Sequence, residues 1–177
     1  AYATVGVFFD PNSVRFHQVQ QALESLETSD STTAESPGAL HRIPVCYERQ
    51  LDLPRIAEAK GLTNDEVIRL HTSTEFRIYA IGFVPGFPYM GYLPEALAGV
   101  PRLATPRIKV EPGSVGITGK QTGIYPLPRP GGWNIVGQTP LTIVDVEDEY
   151  FPLRVGDRVQ FERIDEMTFQ KLLGERL

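Results

Sequence analysis

The sequence is short of the residues that mark the commoner special chemistries. It holds one cysteine, Cys46, among 177 residues, so it makes no internal disulfide. Its three histidines, His17, His41 and His71, are scattered, and none stands at ligand spacing with Cys46 or a carboxylate, which argues against a metal site. No Asn-x-Ser/Thr sequon occurs. No apolar run approaches the roughly 20 residues of a spanning helix; stretches such as residues 79–81 are far shorter. The start, AYATVGVFFDP, lacks the basic residues, long apolar stretch and cleavage pattern of a secretory signal. A reducing, cytoplasmic setting is therefore expected, with no membrane partner. Positive charge is also in deficit: 17 Lys+Arg against 22 Asp+Glu give −5 and a pI near 5.2, the wrong sign for sequence-independent binding to nucleic acid. What remains is an ordinary globular composition, 41% hydrophobic and 10% aromatic, enough for one or two domains with a core. The chain opens at Ala1 inside a strand-like stretch, which predicts a fragment with something missing upstream.

Residues 2–9 are rich in β-branched and aromatic side chains and read as a strand, stopped by the turn chemistry of Asp10-Pro11-Asn12. Ser13 is placed to cap a helix whose apolar stripe is Phe16, Val19, Leu23 and Leu26. Residues 28–38 (TSDSTTAESPG) offer almost nothing to bury and read as a flexible segment. A short strand is expected over residues 43–47, then a brief helix capped by Asp52 and stopped at Gly61. Thr63-Asn64-Asp65-Glu66 spells a capping box, with Leu62 and Val67 as its hydrophobic staple, so a further helix runs to about Thr72. Residues 75–83 alternate as a strand.

From Gly82 the composition changes. Residues 82–137 hold eleven of the 16 glycines and nine of the 15 prolines. Helices do not persist through that spacing, yet Val110, Val115, Ile117, Ile124, Trp133, Ile135 and Val136 still need burial. Short strands joined by tight turns, as in a small barrel or sandwich, are the remaining solution. Residues 141–146 read as another strand, residues 153–161 as a turn into a last one, and Asp165 as the cap of a final helix with Phe169, Leu172 and Leu173 inward.

Several motifs approach known chemistry and miss it. Pro112-Gly113-Ser114-Val115-Gly116 has proline where a nucleophile elbow needs its first glycine, so Ser114 reads as a turn serine. Gly119-Lys120 lacks the first glycine and the final hydroxyl of a P-loop. The glycine-rich backbone can still form an anion nest beside Lys109 or Lys120, or simply make β-turns. Cys46 reads as a small buried apolar residue, and His71 as a cation favouring a helix C-terminus. Phe83, Phe87, Tyr89, Tyr92, Tyr125 and Trp133 stand beside Gly and Pro in loops, with Arg102, Arg107, Lys109, Lys120 and Arg129 as possible anion readers. They either shape a pocket or form a barrel core with a solvated rim.

Four blocks carry a resemblance: residues 82–91 (GFVPGFPYMG), 113–117 (GSVGI) after Pro106-Arg107 and Val110, 119–126 (GKQTGIYP) and 130–137 (PGGWNIVG) before Thr139-Pro140. With Ile43-Pro44-Val45-Cys46-Tyr47 and residues 66–71, they resemble the B-subunit family of prokaryotic 5-oxoprolinase. That family is also known as allophanate hydrolase subunit 1, the carboxyltransferase C/D subdomain or the KipI family. The resemblance implies an α+β chain: a small α/β N-terminal domain, truncated here, over residues 1–81, and a cyclophilin-like β-barrel domain over residues 82–177. It implies one component of a heteromeric, ATP-dependent hydrolase that opens 5-oxo-L-proline to L-glutamate alongside A-type and C-type partner subunits, with ATP bound in the assembled complex. Related domains imply two alternatives, a regulatory protein inhibiting a histidine kinase and an allophanate- or urea-related carboxyltransferase. For the hydrolase reading, Arg107, Lys109 and Lys120 are the expected catalytic cations, and the turns at residues 113–116 and 119–123 the expected backbone donors. Phe87, Tyr89, Ser114, Gln121, Tyr125 and Trp133 are the expected substrate contacts. Two departures from the family pattern stand out: Val110-Glu111-Pro112-Gly113 before the Ser114 turn, and Gln138 where arginine is common.

Overall fold

A computed structural model describes residues 6–27 and 38–177. The chain divides into two compact units, Ala1–Ser36 and Pro37–Leu177. In the first, helix α1 spans Phe16–Glu27. Residues 6–9 are not a strand, and the rest of the expected strand lies outside the described residues, as does most of the 28–38 segment. The Asp10 carboxylate accepts from the Asn12 backbone at 2.9 Å and from the Ser13 hydroxyl at 2.8 Å, bonds that hold it below its usual pKa. Ser13 is thereby engaged in the turn, and the helix begins three residues after it instead of being capped by it.

The second unit is a closed barrel. Its strands are β1 (Leu40–Cys46), β2 (Glu75–Ile81), β3 (Pro88–Gly91), β5 (Ser114–Thr118), β6 (Gln121–Ile124), β8 (Asn134–Gln138) and β9 (Arg158–Ile164); β4 (Arg107–Val110) and β7 (Arg129–Gly131) pair separately as a ribbon. Around the barrel the order is β1-β8-β5-β6-β3-β2-β9. Closure comes from β9, which runs parallel to β1 from Leu40↔Arg158 to Cys46↔Ile164 and antiparallel to β2. A closed barrel leaves no unpaired edge among these strands. The expected α+β class with a barrel is what forms. The boundary at residue 81 is not: β1 and β2 lie before it and are staves of the barrel, and the division between compact units falls at Ser36/Pro37. The composition shift at Gly82 marks where connections become tight turns, because the strands on either side of it hydrogen-bond to each other, Ile81 opposite Pro88.

Inside the barrel Ile43, Val45, Phe76, Ile78, Met90, Val115, Ile117, Val136, Val159 and Phe161 are buried. Helices α2 (Leu53–Lys60) and α3 (Asn64–Thr72) join β1 to β2, and α4 (Glu166–Leu172) follows β9. The capping box forms as expected, Thr63 Oγ1 accepting from the Glu66 N–H and the Glu66 carboxylate accepting from the Thr63 N–H at 2.7 Å. Asp165 caps α4 through the Thr168 N–H at 2.8 Å. Phe169 is buried, whereas Leu173 is 60% exposed because the helix ends before it. Residues 141–146 form no strand: Ile143 and Val144 are buried, but the backbone joins no continuous ladder. The segment is a strap holding isolated bridges, Thr142↔Arg176 and Asp145↔Tyr150. Among the described residues no helix is long and apolar enough to cross a membrane.

His71 departs most from expectation. It does not meet solvent at the helix end but is 1% exposed, its ring stacked on Phe161 at 4.6 Å between centroids. Thr122 Oγ1 donates to the Gly116 carbonyl, so it accepts from His71 Nε2–H at 3.0 Å, leaving Nδ1 to accept from the Tyr47 hydroxyl at 2.7 Å. Burial pushes the imidazole pKa down to about 3, so it is neutral. A charged imidazole would have to strip one of these bonds inside the core.

Candidate functional site

A second, smaller apolar cluster lies apart from the barrel core: Phe87, Val110, Tyr125, Trp133 and Ile135, with Val84 and Tyr89 packed against it. Phe87 is its hub. Its ring meets Tyr89 at 4.9 Å, Tyr125 at 5.2 Å and Trp133 at 5.4 Å between centroids, all edge-to-face, the arrangement that aligns the positive edge of one ring with the negative face of the next. Phe83, 59% exposed and held at positive φ, adds an edge at 5.7 Å. Two glycines permit the packing. A side chain at Gly123 would meet the Phe87 ring at 2.8 Å, and one at Gly131 would collide with the Tyr125 hydroxyl.

These rings wall a pocket of about 300 Å³ lined by Phe83, Phe87, Tyr89, Tyr125 and Trp133 together with Arg102, Pro106, Pro130, Gly131 and Gly132. The volume is at the lower end for small-molecule sites. Burial raises the Tyr125 pKa, opposed by a backbone hydrogen bond with Trp133 and by the positive charges of Arg102 and Arg107, so its hydroxyl stays protonated at neutral pH. The segment carrying Arg102 is pinned on both sides: Asn134 Nδ2 donates to the Pro101 carbonyl at 2.9 Å, and the Leu103 N–H donates to the Gly132 carbonyl at 2.7 Å.

The structure sorts the expected site residues. Phe87, Tyr89, Tyr125 and Trp133 come together on the pocket. Ser114 is buried in the barrel wall opposite Gln138, and Gln121 stands at the start of β6 opposite Gly91; neither lines the pocket. Arg107 reaches Asp52, its Nη2 donating to Oδ1 at 2.8 Å, while Asp52 Oδ2 accepts from the Ile135 N–H at 2.7 Å. Lys109 is exposed and pairs with Glu111 at 2.9 Å, and Lys120 is exposed on the β5–β6 turn. The expected backbone donors are largely engaged. The Gly113 N–H donates to Tyr125, the Ser114 N–H to Glu111 and the Gly119 N–H to Val100, and β5 pairs with β6 along its length. No anion nest remains at these groups.

Arg102 and Asp52 were harder to read. Arg102 follows a proline in an irregular segment with no periodicity, and only the fold brings it to the aromatic wall. Asp52 carries the signature of a helix cap but makes no capping bond; Gln50 Oε1 takes the Leu53 N–H instead, at 3.0 Å. Among the described residues no group of three or more His, Cys, Asp or Glu side chains assembles into a potential metal site.

Comparisons with known proteins agree with this architecture. A family model described as carboxyltransferase domain, subdomain C and D, matches residues 1–153. The 5-oxoprolinase B subunit of Bacillus subtilis (strain 168) is 36% identical, the match covering 96% of this chain and 75% of that protein. The 5-oxoprolinase B subunit of Escherichia coli O157:H7 is 43% identical over 86% of this chain and 70% of that protein. A solved structure of a conserved uncharacterized protein from Pyrococcus horikoshii superposes with a TM-score of 0.68 at 38% identity, covering 92% of this chain and 76% of that one. In another solved neighbour the chain spans only 30% of the length.

Proposed function

Because the chain belongs to the family of the carboxyltransferase domain, subdomains C and D, we propose that it is an enzyme subunit, the B-type component of a cytoplasmic, ATP-dependent amidohydrolase that converts 5-oxo-L-proline to L-glutamate with A-type and C-type partners. The names of its relatives support the subunit role. The observation that carries the reading is the pocket: aromatic rings fixed edge-to-face beside a single guanidinium form a binding wall sized for a small ring. Such a wall binds and orients. Flat faces of Tyr89 and Trp133 hold a planar amide ring out of water, and the protonated Tyr125 hydroxyl is a polar group within that apolar wall.

ATP-dependent opening of a lactam calls for several cations and backbone donors where negative charge develops. Of the groups expected to meet a triphosphate, two of the cations and most of the backbone donors are already engaged within the fold. Arg107 is paired with Asp52, Lys109 with Glu111, and the glycine-turn N–H groups named above are bonded within the fold. Nucleotide handling is accordingly assigned to the partner subunits, and this chain contributes one wall of a composite site. The test is co-expression with the A-type and C-type candidates and measurement of ATP-dependent glutamate release from 5-oxo-L-proline, each component omitted in turn. Turnover only with all three present is the expected result. A well-formed complex that releases no glutamate removes the reading.

A further inference from the structure

Of the groups lining the pocket, one carries charge. Arg102 is the sole ionisable group there besides the tyrosines; no carboxylate lines the wall, and among the described residues Arg102 has no ion-pair or hydrogen-bond partner. Of the other cations near this face, Arg107 is paired with Asp52 and Lys109 with Glu111, and Arg129 is exposed, bonds the Pro128 carbonyl and does not line the pocket. The position of Arg102 is nonetheless built, since the backbone on either side of it is hydrogen-bonded to Asn134 and to Gly132, the residues flanking Trp133. An exposed, unpaired guanidinium carried on a pinned backbone beside an apolar aromatic wall matches a ligand with one anionic end and one flat uncharged body. It disfavours a cation, for which a bare aromatic cage would otherwise serve.

We propose that the pocket binds small planar monocarboxylates, the carboxylate on the Arg102 guanidinium and the flat body against Trp133 and Tyr89, and that Arg102 sets the preference for an anionic over a neutral ligand. The choice of 5-oxo-L-proline as a probe rests on the function proposed above; the carboxylate preference does not. Trp133 is the chain's single tryptophan, so in the isolated chain its fluorescence reports on this pocket alone.

The experiment titrates the full chain, alone and in its assembled complex, with 5-oxo-L-proline, with 2-furoate, which keeps the anion on a flat ring without the lactam, and with 2-pyrrolidone, which keeps the lactam without the anion. Saturable fluorescence change is expected for both carboxylates, with 2-pyrrolidone about 10- to 100-fold weaker, the range expected for losing a charge-assisted hydrogen bond. Arg102→Gln should bring the carboxylates down to the 2-pyrrolidone level without altering 2-pyrrolidone binding, and Arg102→Lys should recover part of the loss. Carboxylate binding unchanged in Arg102→Gln, equal binding of 2-pyrrolidone, or no saturable change with any probe in either preparation overturns the proposal. A complex that turns over 5-oxo-L-proline at wild-type kcat/KM with Arg102→Gln refutes this inference and leaves the enzymatic reading standing. Arg102-dependent carboxylate binding in a complex that never releases glutamate does the reverse.

Discussion

Replacing His71 by Gln should make the protein less stable at pH 7 and more stable than the parent in mild acid, with the two stability curves crossing near pH 5. In the native state the imidazole is buried against Phe76 and Phe161 with its pKa pushed down to about 3, whereas in the unfolded chain it titrates near 6.5. Below about pH 6.5 the unfolded state therefore binds a proton that the folded state refuses. Stability falls by about 1.4 kcal/mol per pH unit from there down toward the native pKa and is fully retained above pH 6.5. Glutamine escapes that slope but does not reproduce both bonds, Tyr47 O–H to Nδ1 and Nε2–H to Thr122, so at pH 7 it should cost about 2 kcal/mol, roughly 1 kcal/mol for each imperfect buried partner. Dividing the one by the other places the crossing about 1.5 units below 6.5. Urea denaturation of both proteins at half-unit intervals from pH 7.5 to 4.5 measures it. Taking the difference between the two proteins removes the carboxylates, such as Asp10 and Asp165, whose lowered pKa values affect both alike. Parallel curves with a constant offset would mean that His71 takes up its proton in the folded protein as it does in the unfolded chain, and the buried hydrogen-bond assignment would be wrong.

Asp52→Ala should lower stability by about 3 kcal/mol, since it leaves the Ile135 N–H unsatisfied and the partly buried Arg107 unpaired. Asp52→Asn should cost about half that; thermal melts that place the alanine variant within 2 °C of the parent would refute the clamp, because about 3 kcal/mol corresponds to roughly 6–12 °C at this chain length. Gly131→Ala should displace the Tyr125 hydroxyl and reshape the pocket, with a shifted Trp133 emission maximum and weakened carboxylate binding. Its cost in global stability should stay near 1–2 kcal/mol, because Tyr125 belongs to the small aromatic cluster and not to the barrel core. An unchanged emission maximum would show that the Tyr125–Gly131 approach does not define the wall.

What could be read from the sequence was what is local or periodic. The capping box at Thr63 and Glu66 needs only a four-residue pattern, and the Asp165 cap likewise; both formed as read. The aromatic residues beside glycine and proline were identifiable as a group because large rings in tight turns have few other places to pack. The misreadings share a different cause. Asp52 has the residue type and position of a cap, but two strands distant in sequence offered the Ile135 N–H and the Arg107 cation, and a charge-assisted bond to each outweighs one capping bond. His71 sits where a cation would suit the helix dipole, yet the parallel pairing of β1 with β9 seals that helix end against Phe161, and burial dominates a dipole effect of about 1 kcal/mol or less. The boundary at residue 81 failed because barrel closure pairs β2 with β9, across 83 residues from Glu75 to Arg158, and no local composition encodes that.

The distribution of positive charge explains why the pocket takes its character from one arginine out of the five cations that the sequence offered. A cation acts on a ligand only to the extent that no nearby carboxylate already satisfies it. Lys109 stands two residues from Glu111 on the exposed ribbon and pairs with it, and Lys120 is carried out to solvent by the β5–β6 turn. Arg107 is buried enough that leaving it unpaired would be costly, and Asp52 meets that need from the residue preceding α2; the pair ties the ribbon that carries Gly131 to the helix. Arg129 is exposed and bonds the neighbouring Pro128 carbonyl. Arg102 alone lines the pocket, with its backbone fixed at both flanks and its guanidinium uncompensated. Selectivity should then respond to position 102 and stability to the 52–107 pair, two effects separable in the same protein by ligand titration and by denaturation.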